Sequence, residues 1–314
     1  MLDKLAICKL LGIKYPIIQG GMARLGTAEL VSAVSEAGGL GVIGSGDAPP
    51  EWLKGQIKSV RERTDKPFAV NVMLTSPFLE DTLRVVIEEG VGVVALGGGN
   101  PGVYIPRLKE AGTKVIPVVS TVALARRVER FGIDAIVAEG MESGGHVGDT
   151  TTMALLPQVV DAVKVPVIAA GGIADGRGLV TTLSLGAQGV QIGTRFVCSS
   201  ECVAHEMFKE RILSAQDRMT MVIGKSIGHP TRCIENRMSR SFAEMEKAGA
   251  SEEELEELIR GGLFKGVIEG NLDEGILMAG QISGLIKEIK PVKNIIEDIM
   301  AEAQRVLEAM AETT

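Results

Sequence analysis

Residues 166–196 read PVIAAGGIADGRGLVTTLSLGAQGVQIGTRF. Two apolar runs, PVIAA and GVQI, each break at glycine, and between them GLVTTLSLGA carries apolar residues at helical spacing. The runs are near-continuous rather than alternating, the pattern of strands covered on both faces and hence of a parallel sheet under helices. The same unit recurs upstream. YPIIQGG (15–21), GLGVIGSG (39–46), FAVNVM (68–73), GVVALGGG (92–99), KVIPVVST (114–121) and AIVAEG (135–140) complete a set of eight strand-like segments. Helical spacing separates them, as in AELVSAVSEAG, EWLKGQIKSVRERT, FLEDTLRVVIEEG and VALARRVERFG, and several of these segments end at glycine. Eight such units within roughly 200 residues match a (β/α)8 TIM barrel of the α/β class, which typically takes about 250. A doubly wound sheet would carry a single glycine-rich turn after its first strand. Here glycine follows nearly every strand.

After GTRF the rhythm changes. Residues 200–275 show no strand repeat, contain the amphipathic SEEELEELIRGG, and are richer in Lys and Arg around 209–240. They are expected to form a mostly helical lid, or insertion, after the eighth strand, with the barrel built from 1–199 and 276–314. GILMAGQISGLI (275–286) turns back toward helix, and VKNIIEDIMAEAQRVLEAMAE forms a long closing helix.

Composition narrows the function. The 314 residues are 45% hydrophobic and 23% charged, enough to bury a sizeable core. Aromatics at 3% disfavour a stacking platform for single-stranded nucleic acid, and a net charge of -7 disfavours nucleic acid or an anionic membrane as partner. No apolar stretch reaches membrane-spanning length, and MLDKLAICKLLGIKYP lacks the core of an export signal. Four scattered cysteines make no disulfide scaffold, so a cytoplasmic location is expected. Cys198, Cys202 and His205, with His229 and Cys233, invite a zinc reading, but the spacing is not that of a finger or ribbon. On a helix, 198, 202 and 205 share one face and suit core packing as well.

In barrel enzymes the site lies at the C-terminal ends of the strands. The first strand ends in Gln19, Gly20, Gly21 and Met22, the second in Gly44, Ser45, Gly46 and Asp47, and the third carries Asn71. Gly98 follows the fourth, and Glu139 with the Gly144-Gly145-His146 turn follows the sixth. Ala170, Gly171 and Gly172 close the seventh, and Gln191, Gly193 and Thr194 the eighth. The last two loops are where barrels commonly bind phosphate, through backbone N–H groups and helix N-termini. The alternative is glycine needed only for tight helix–strand packing. Gln19, Asn71 and Gln191 offer amides for the polar edge of a heterocycle, or else cap strand-end carbonyls. A phosphate at one side and a planar ring across the mouth describe flavin mononucleotide. His146 is the candidate for chemistry, since imidazole titrates near pH 6.5, close to working pH.

QGGM, AGGLGVIGSGDAP, PFAVNVML, AEGMESGGHVG, IAAGGIADG, GTRF and MAGQISG resemble the FabK-type enoyl-acyl-carrier-protein reductases, which sit with the nitronate monooxygenases in one superfamily of flavin-dependent barrels. The resemblance runs in order over nearly the whole chain. It implies FMN held by the strand-end residues above and by Met278, with the phosphate at Gly171, Gly172, Gly193 and Thr194. It implies NADPH or NADH as hydride donor and a monovalent cation, K+ or NH4+, whose ligands are not assigned. The reaction implied is reduction of a trans-2-enoyl thioester on acyl carrier protein, the last step of the fatty-acid elongation cycle; a homodimer is expected, though no residue pattern in the sequence fixes the oligomer. His146 would donate a proton or polarise the thioester carbonyl. Lys209, Arg211, Arg218, Lys225, Arg232, Arg237 and Arg240 would attract the acidic carrier, unless they form a solvated face. Asp47 departs from the resemblance, standing where an amide is expected. A nitronate monooxygenase, with His146 as base and oxygen as acceptor, is the second reading, and a non-catalytic flavin-binding protein the third. A purine-nucleotide dehydrogenase would want a cysteine in the loop after the sixth strand, and none is there.

Overall fold

In the computed structural model, which describes residues 5–312, eight parallel strands answer the expectation one for one. Six come first: β1 (Ile17–Gln19), β2 (Gly41–Gly44), β3 (Phe68–Met73), β4 (Val93–Gly97), β5 (Lys114–Val119) and β6 (Ile136–Glu139). After the two-residue β7 (Gly145–His146), β8 (Val167–Ala170) and β9 (Gly189–Ile192) are the seventh and eighth barrel strands. Residues 1–4 and 313–314 of the expected barrel spans lie outside the described residues.

Each barrel strand pairs in parallel with its neighbours, and β1 returns to β9 through Ile17↔Val190 and Gln19↔Ile192. A bridge between Ile18 and Leu40 closes the ring on the other side. Alternate side chains enter two separate cores. Ile18, Leu40, Val42, Ala69, Val93, Ile116, Val137 and Ile168 fill the barrel interior. Ile17, Ile43, Val70, Val94, Leu96 and Val190 pack outward against the helices. This double burial is why the strands read as unbroken apolar runs. A short helix, α1 (Ala6–Leu11), places Ile7, Cys8 and Leu11 in the interior core, plugging the N-terminal end.

Helices α2 (Ala28–Glu36), α3 (Pro50–Arg63), α4 (Leu79–Glu88), α5 (Ile105–Glu110), α6 (Val122–Glu129), α7 (Thr152–Ala162) and α8 (Gly176–Ser184) form the outer layer. The short α9 (Thr194–Val197) follows GT of GTRF. Beyond it lie α10 (Glu206–Leu213), β10 (Thr220–Ile223), β11 (Thr231–Ile234), α11 (Arg237–Lys247), α12 (Glu252–Ile259) and α13 (Gly262–Val267). The long α14 (Val292–Glu312) then packs on α8 and α2, standing where an eighth barrel helix belongs.

Residues 200–275 correct the expectation in one respect. They hold two strands, β10 and β11, antiparallel from Thr220↔Ile234 to Ile223↔Thr231. β11 also pairs with β7, through Thr231↔His146 and Arg232↔Gly145. Four-residue strands without alternation, one carrying Arg232 and Cys233, give too short a signal to read locally. A small core of Ile223, Cys233, Met238, Phe242, Leu255 and Ile276 supports them. Nor does 275–286 return to helix as a whole: only Gln281–Leu285 forms a 3-10 turn.

Two further expectations change. Residues 198–205 are not helical; α9 stops at Val197 and Ser199 bridges to Lys290, yet Cys198 and Cys202 still enter the core. Lys209 and Arg232 cannot face a carrier protein, being only 4% exposed. Lys209 Nζ donates to the Ser199 and Cys202 carbonyls at 2.9 and 2.8 Å. Arg232 donates to the Met141 carbonyl and to Thr220 Oγ1, both at 2.9 Å. Among the described residues no helix is long and apolar enough to cross a membrane.

Candidate functional site

A cavity of about 470 Å3 opens at the C-terminal ends of the barrel strands, within the range usual for small-molecule sites. Gly20, Gly21, Met22, Asp47, Asn71, Gly98, Glu139, Gly144, Gly145 and His146 line it, with Ala170, Gly171, Gly172, Gln191, Gly193, Thr194 and Met278. Three expected residues do not. Gln19 is fully buried and stitches β1 to β2: its Oε1 accepts from the Val42 N–H at 2.9 Å and its Nε2 donates to the Val42 carbonyl at 3.1 Å. A Cβ on Gly44 would run into the Met22 carbonyl, so that glycine serves backbone packing. Ser45 Oγ donates to the Asn71 carbonyl at 2.7 Å. All three hold the frame on which Met22 and Asn71 are presented.

The turn bearing His146 owes its glycines to the chain itself. A Cβ on Gly144 would lie 2.6 Å from the carbonyl carbon of Ala279 and 2.8 Å from Gly280 N. Gly145 takes φ +81°, which favours glycine. The MAGQISG segment therefore passes flush against the turn, and Gly280 N donates to Thr194 Oγ1 at 2.9 Å while Gln281 N donates to the Glu142 carbonyl. From the other side, β11 and the bond from Val147 N to the Pro230 carbonyl clamp the same turn. Glu142, which sequence reading passed over, anchors its base: both carboxylate oxygens accept from Thr152 N at the start of α7, at 3.0 and 2.9 Å.

His146 faces the cavity with its ring 6.3 Å from that of His229, nearly perpendicular. Loss of hydration, and secondarily the charge of His229, hold its pKa below the usual value. At neutral pH the ring is therefore the neutral imidazole, with one N–H to donate and one nitrogen to accept. Glu139, at the end of β6, moves the opposite way: burial pushes it up to about 7. Among the described residues Ser143 Oγ is the one buried side-chain polar atom without a hydrogen-bond partner.

The phosphate expectation needs a correction at α8. Asp175 accepts from Arg177 N and Gly178 N at 3.1 and 3.2 Å, and Gly176 N donates to Glu302 of α14 at 2.8 Å. The N-terminal donors of α8 are thus taken by carboxylates. What remains is the loop pair itself: among the described residues the N–H groups of Gly172 and Gly193 donate to no protein acceptor. The side-chain amides of Asn71 and Gln191 likewise have no partner among the described residues, and both border the cavity. Sequence reading also missed Arg24, Ser143 and the apolar wall that Ile259, Leu263, Phe264, Val267 and Ile276 contribute. Arg24 is invisible in sequence because its neighbour, Asp47, lies on a different loop.

Over this geometry the comparisons agree on the architecture and differ on the named activity. The structure of FabK from Thermotoga maritima superposes with a TM-score of 0.97 at 51% identity, covering 99% of each chain. A Mycobacterium tuberculosis (3aS,4S,5R,7aS)-5-hydroxy-7a-methyl-1-oxo-octahydro-1H-indene-4-carboxyl-CoA dehydrogenase is 35% identical over 95% of each chain. A probable nitronate monooxygenase of Staphylococcus saprophyticus is 34% identical, covering 95% of this chain and 97% of its own. The nitronate monooxygenase family description matches residues 4–302, and the chain belongs to that family of oxidoreductases.

Proposed function

We propose that this protein is an FMN-dependent reductase of trans-2-enoyl thioesters carried on acyl carrier protein, with NADPH or NADH as electron source. The observation that carries the reading is the apolar wall of Ile259, Leu263, Phe264, Val267 and Ile276, which residues 200–276 set beside the polar strand ends. An acyl chain needs such a wall, and a small nitronate does not. The match to FabK supports the same choice.

The residues present fit FMN. The free Gly172 and Gly193 N–H groups and the Thr194 hydroxyl would hold its phosphate, and the unpartnered amides of Asn71 and Gln191, with Ser143 Oγ, would meet the polar edge of its ring. When bound, FMN supplies the hydride carrier between donor and acceptor. The protein's own contribution lies in position and protons. His146, neutral at working pH, donates its N–H to the thioester carbonyl and so stabilises charge that develops there. Glu139 keeps a proton on its carboxyl near neutrality. The segment 200–275 acts as a lid whose apolar wall keeps water from the strand ends.

The test is anaerobic absorbance. NADPH or NADH should bleach the flavin band, and an enoyl thioester should restore it. Bleaching by a nitronate alone would make the protein a monooxygenase, and bound flavin with no response to either would leave a binding protein. His146→Ala should keep FMN and lose about 10²- to 10⁴-fold in thioester turnover. Wild-type activity should fall as pH drops through a value below 6.5, because the working form is the neutral ring. Activity that instead rises on acidification would return His146 to the role of proton donor.

A further inference from the structure

Arg24 is the single lysine or arginine among the residues lining the cavity, which otherwise presents Asp47, Glu139 and Glu142. It stands two residues after Met22 on the loop after β1. Its backbone lies at φ +67°, and among the described residues no other non-glycine takes a positive φ. A residue held in that region points to a constraint imposed by its surroundings. Two contacts hold its side chain. Arg24 Nη2 lies 2.8 Å from Asp47 Oδ1, and the guanidinium carbon stands 6.0 Å from the ring centre of Phe264, which belongs to α13.

The two partners differ in what they leave free. Asp47 is 62% exposed and Arg24 30%, so the carboxylate has water to return to while the guanidinium stays partly buried at the mouth. An ion pair so exposed on one side is weakly held. Phe264 stands beside the guanidinium at cation–π distance, and the guanidinium fork suits a bidentate acceptor. Arg24 is paired with Asp47 of the β2 loop, whereas the donors of Gly172 and Gly193 belong to the loops after β8 and β9.

We propose that Arg24 is the phosphate-reading residue of the cavity mouth, exchanging Asp47 for a phosphate ester on an incoming molecule. The inference rests on the reductase reading, in which both reactants carry such a group: the nicotinamide donor in its nucleotide, the thioester on its pantetheine arm. In a chain of net charge -7, a phosphate entering past Asp47 and Glu142 needs a cation, and Arg24 is the one on the wall.

Titration calorimetry on the FMN-loaded full chain tests this. Coenzyme A is compared with phosphate-free pantetheine, and NADP+ with nicotinamide riboside. Arg24→Gln should weaken one phosphate-bearing probe by about 10- to 100-fold and its phosphate-free counterpart by less than about twofold. The pair that responds identifies the source. Asp47→Asn, which releases the guanidinium, should tighten the same probe several-fold, and Arg24→Lys should fall between wild type and Arg24→Gln because the charge survives without the fork. Equal weakening of both members of a pair, or a loss confined to FMN retention, would overturn the proposal and make Arg24 a lid strut or a flavin contact. The reductase reading fails separately, through absence of NAD(P)H bleaching in the wild type, since binding is read without turnover.

Discussion

Replacing Gly144 by alanine tests how closely the His146 turn and the MAGQISG segment abut. The added Cβ would stand 2.6 Å from Ala279 C, 2.7 Å from Ala279 Cα and 2.8 Å from Gly280 N, where ordinary contacts begin at 3.4 Å. Backbone, not a flexible side chain, must give way by roughly 0.6–0.8 Å. That backbone is fixed by the bonds from Gly280 to Thr194 and from Gln281 to Glu142, so the strain falls on several contacts together. Overpacking of this kind costs about 2–3 kcal/mol. For a chain of 314 residues that lowers the melting temperature by about 3–5 °C. Because His146 follows two residues later, a displacement approaching 1 Å should also cost on the order of 10- to 100-fold in turnover with flavin retained. Gly55→Ala is the control: it lies inside α3 with nothing within 4 Å of the new Cβ, and should stabilise by about 0.5–1 kcal/mol. Differential scanning fluorimetry and steady-state turnover on both variants suffice. If Gly144→Ala melts within 1 °C of wild type, by the scaling of about 1.5 °C per kcal/mol, and turns over within about twofold, the close packing argued for the turn is wrong.

Three further outcomes follow from buried polar groups. A Glu titrates near 4.5 when unfolded and Glu139 at about 7 when folded, so its cost to the native state is absent below 4.5 and complete above 7, on the order of 3 kcal/mol. Glu139→Gln should thus match wild type in urea unfolding near pH 4 and exceed it near pH 8; an equal offset at both pH values would contradict the assignment. Lys209→Met strands the Ser199 and Cys202 carbonyls without their donor, and the relief from dehydrating an ammonium offsets only part, leaving a loss of about 2–3 kcal/mol by chemical denaturation. Burial pushes the Cys198 and Cys233 thiols up to about 12 and raises Cys202 as well, so a thiol-specific dye should label none of them in the folded protein and all of them in denaturant.

The eight strand ends were readable because each unit repeats the same local rule: an apolar run buried on both faces, then glycine. What escaped reading depends on partners distant in sequence. TMVI and TRCI become strands by pairing with each other, and TRCI with Gly145–His146 some ninety residues upstream, and neither four-residue piece has a period of its own. The helix N-terminus after IADG looked open to an anion, yet Glu302 returns from α14 to occupy it. For Gln19 the sequence leaves open an amide for a ligand or a cap on strand-end carbonyls, and the second holds: it bonds Val42, where β1 and β2 meet through a single bridge. At Gly144 and Gly44 the space a side chain would take is filled by the chain's own backbone. Glycine in sequence announces a close approach without naming what approaches.

The position of α14 sets a schedule for biosynthesis. Once β9 has been made, β1 can pair with it and the ring of strands can shut. The groove between α2 and α8 cannot, because the helix that fills it begins only at Val292, and Gly176 of α8 lies so close to Ala303 that no other side chain would substitute. At ribosomal speeds of about 5–20 residues per second, the intervening hundred or so residues occupy about 5–20 s. For that interval the apolar faces of α2 and α8 stand uncovered on a nearly finished barrel. Any dependence of this chain on a holding chaperone, and any tendency of its truncated products to aggregate, should therefore trace to that one groove.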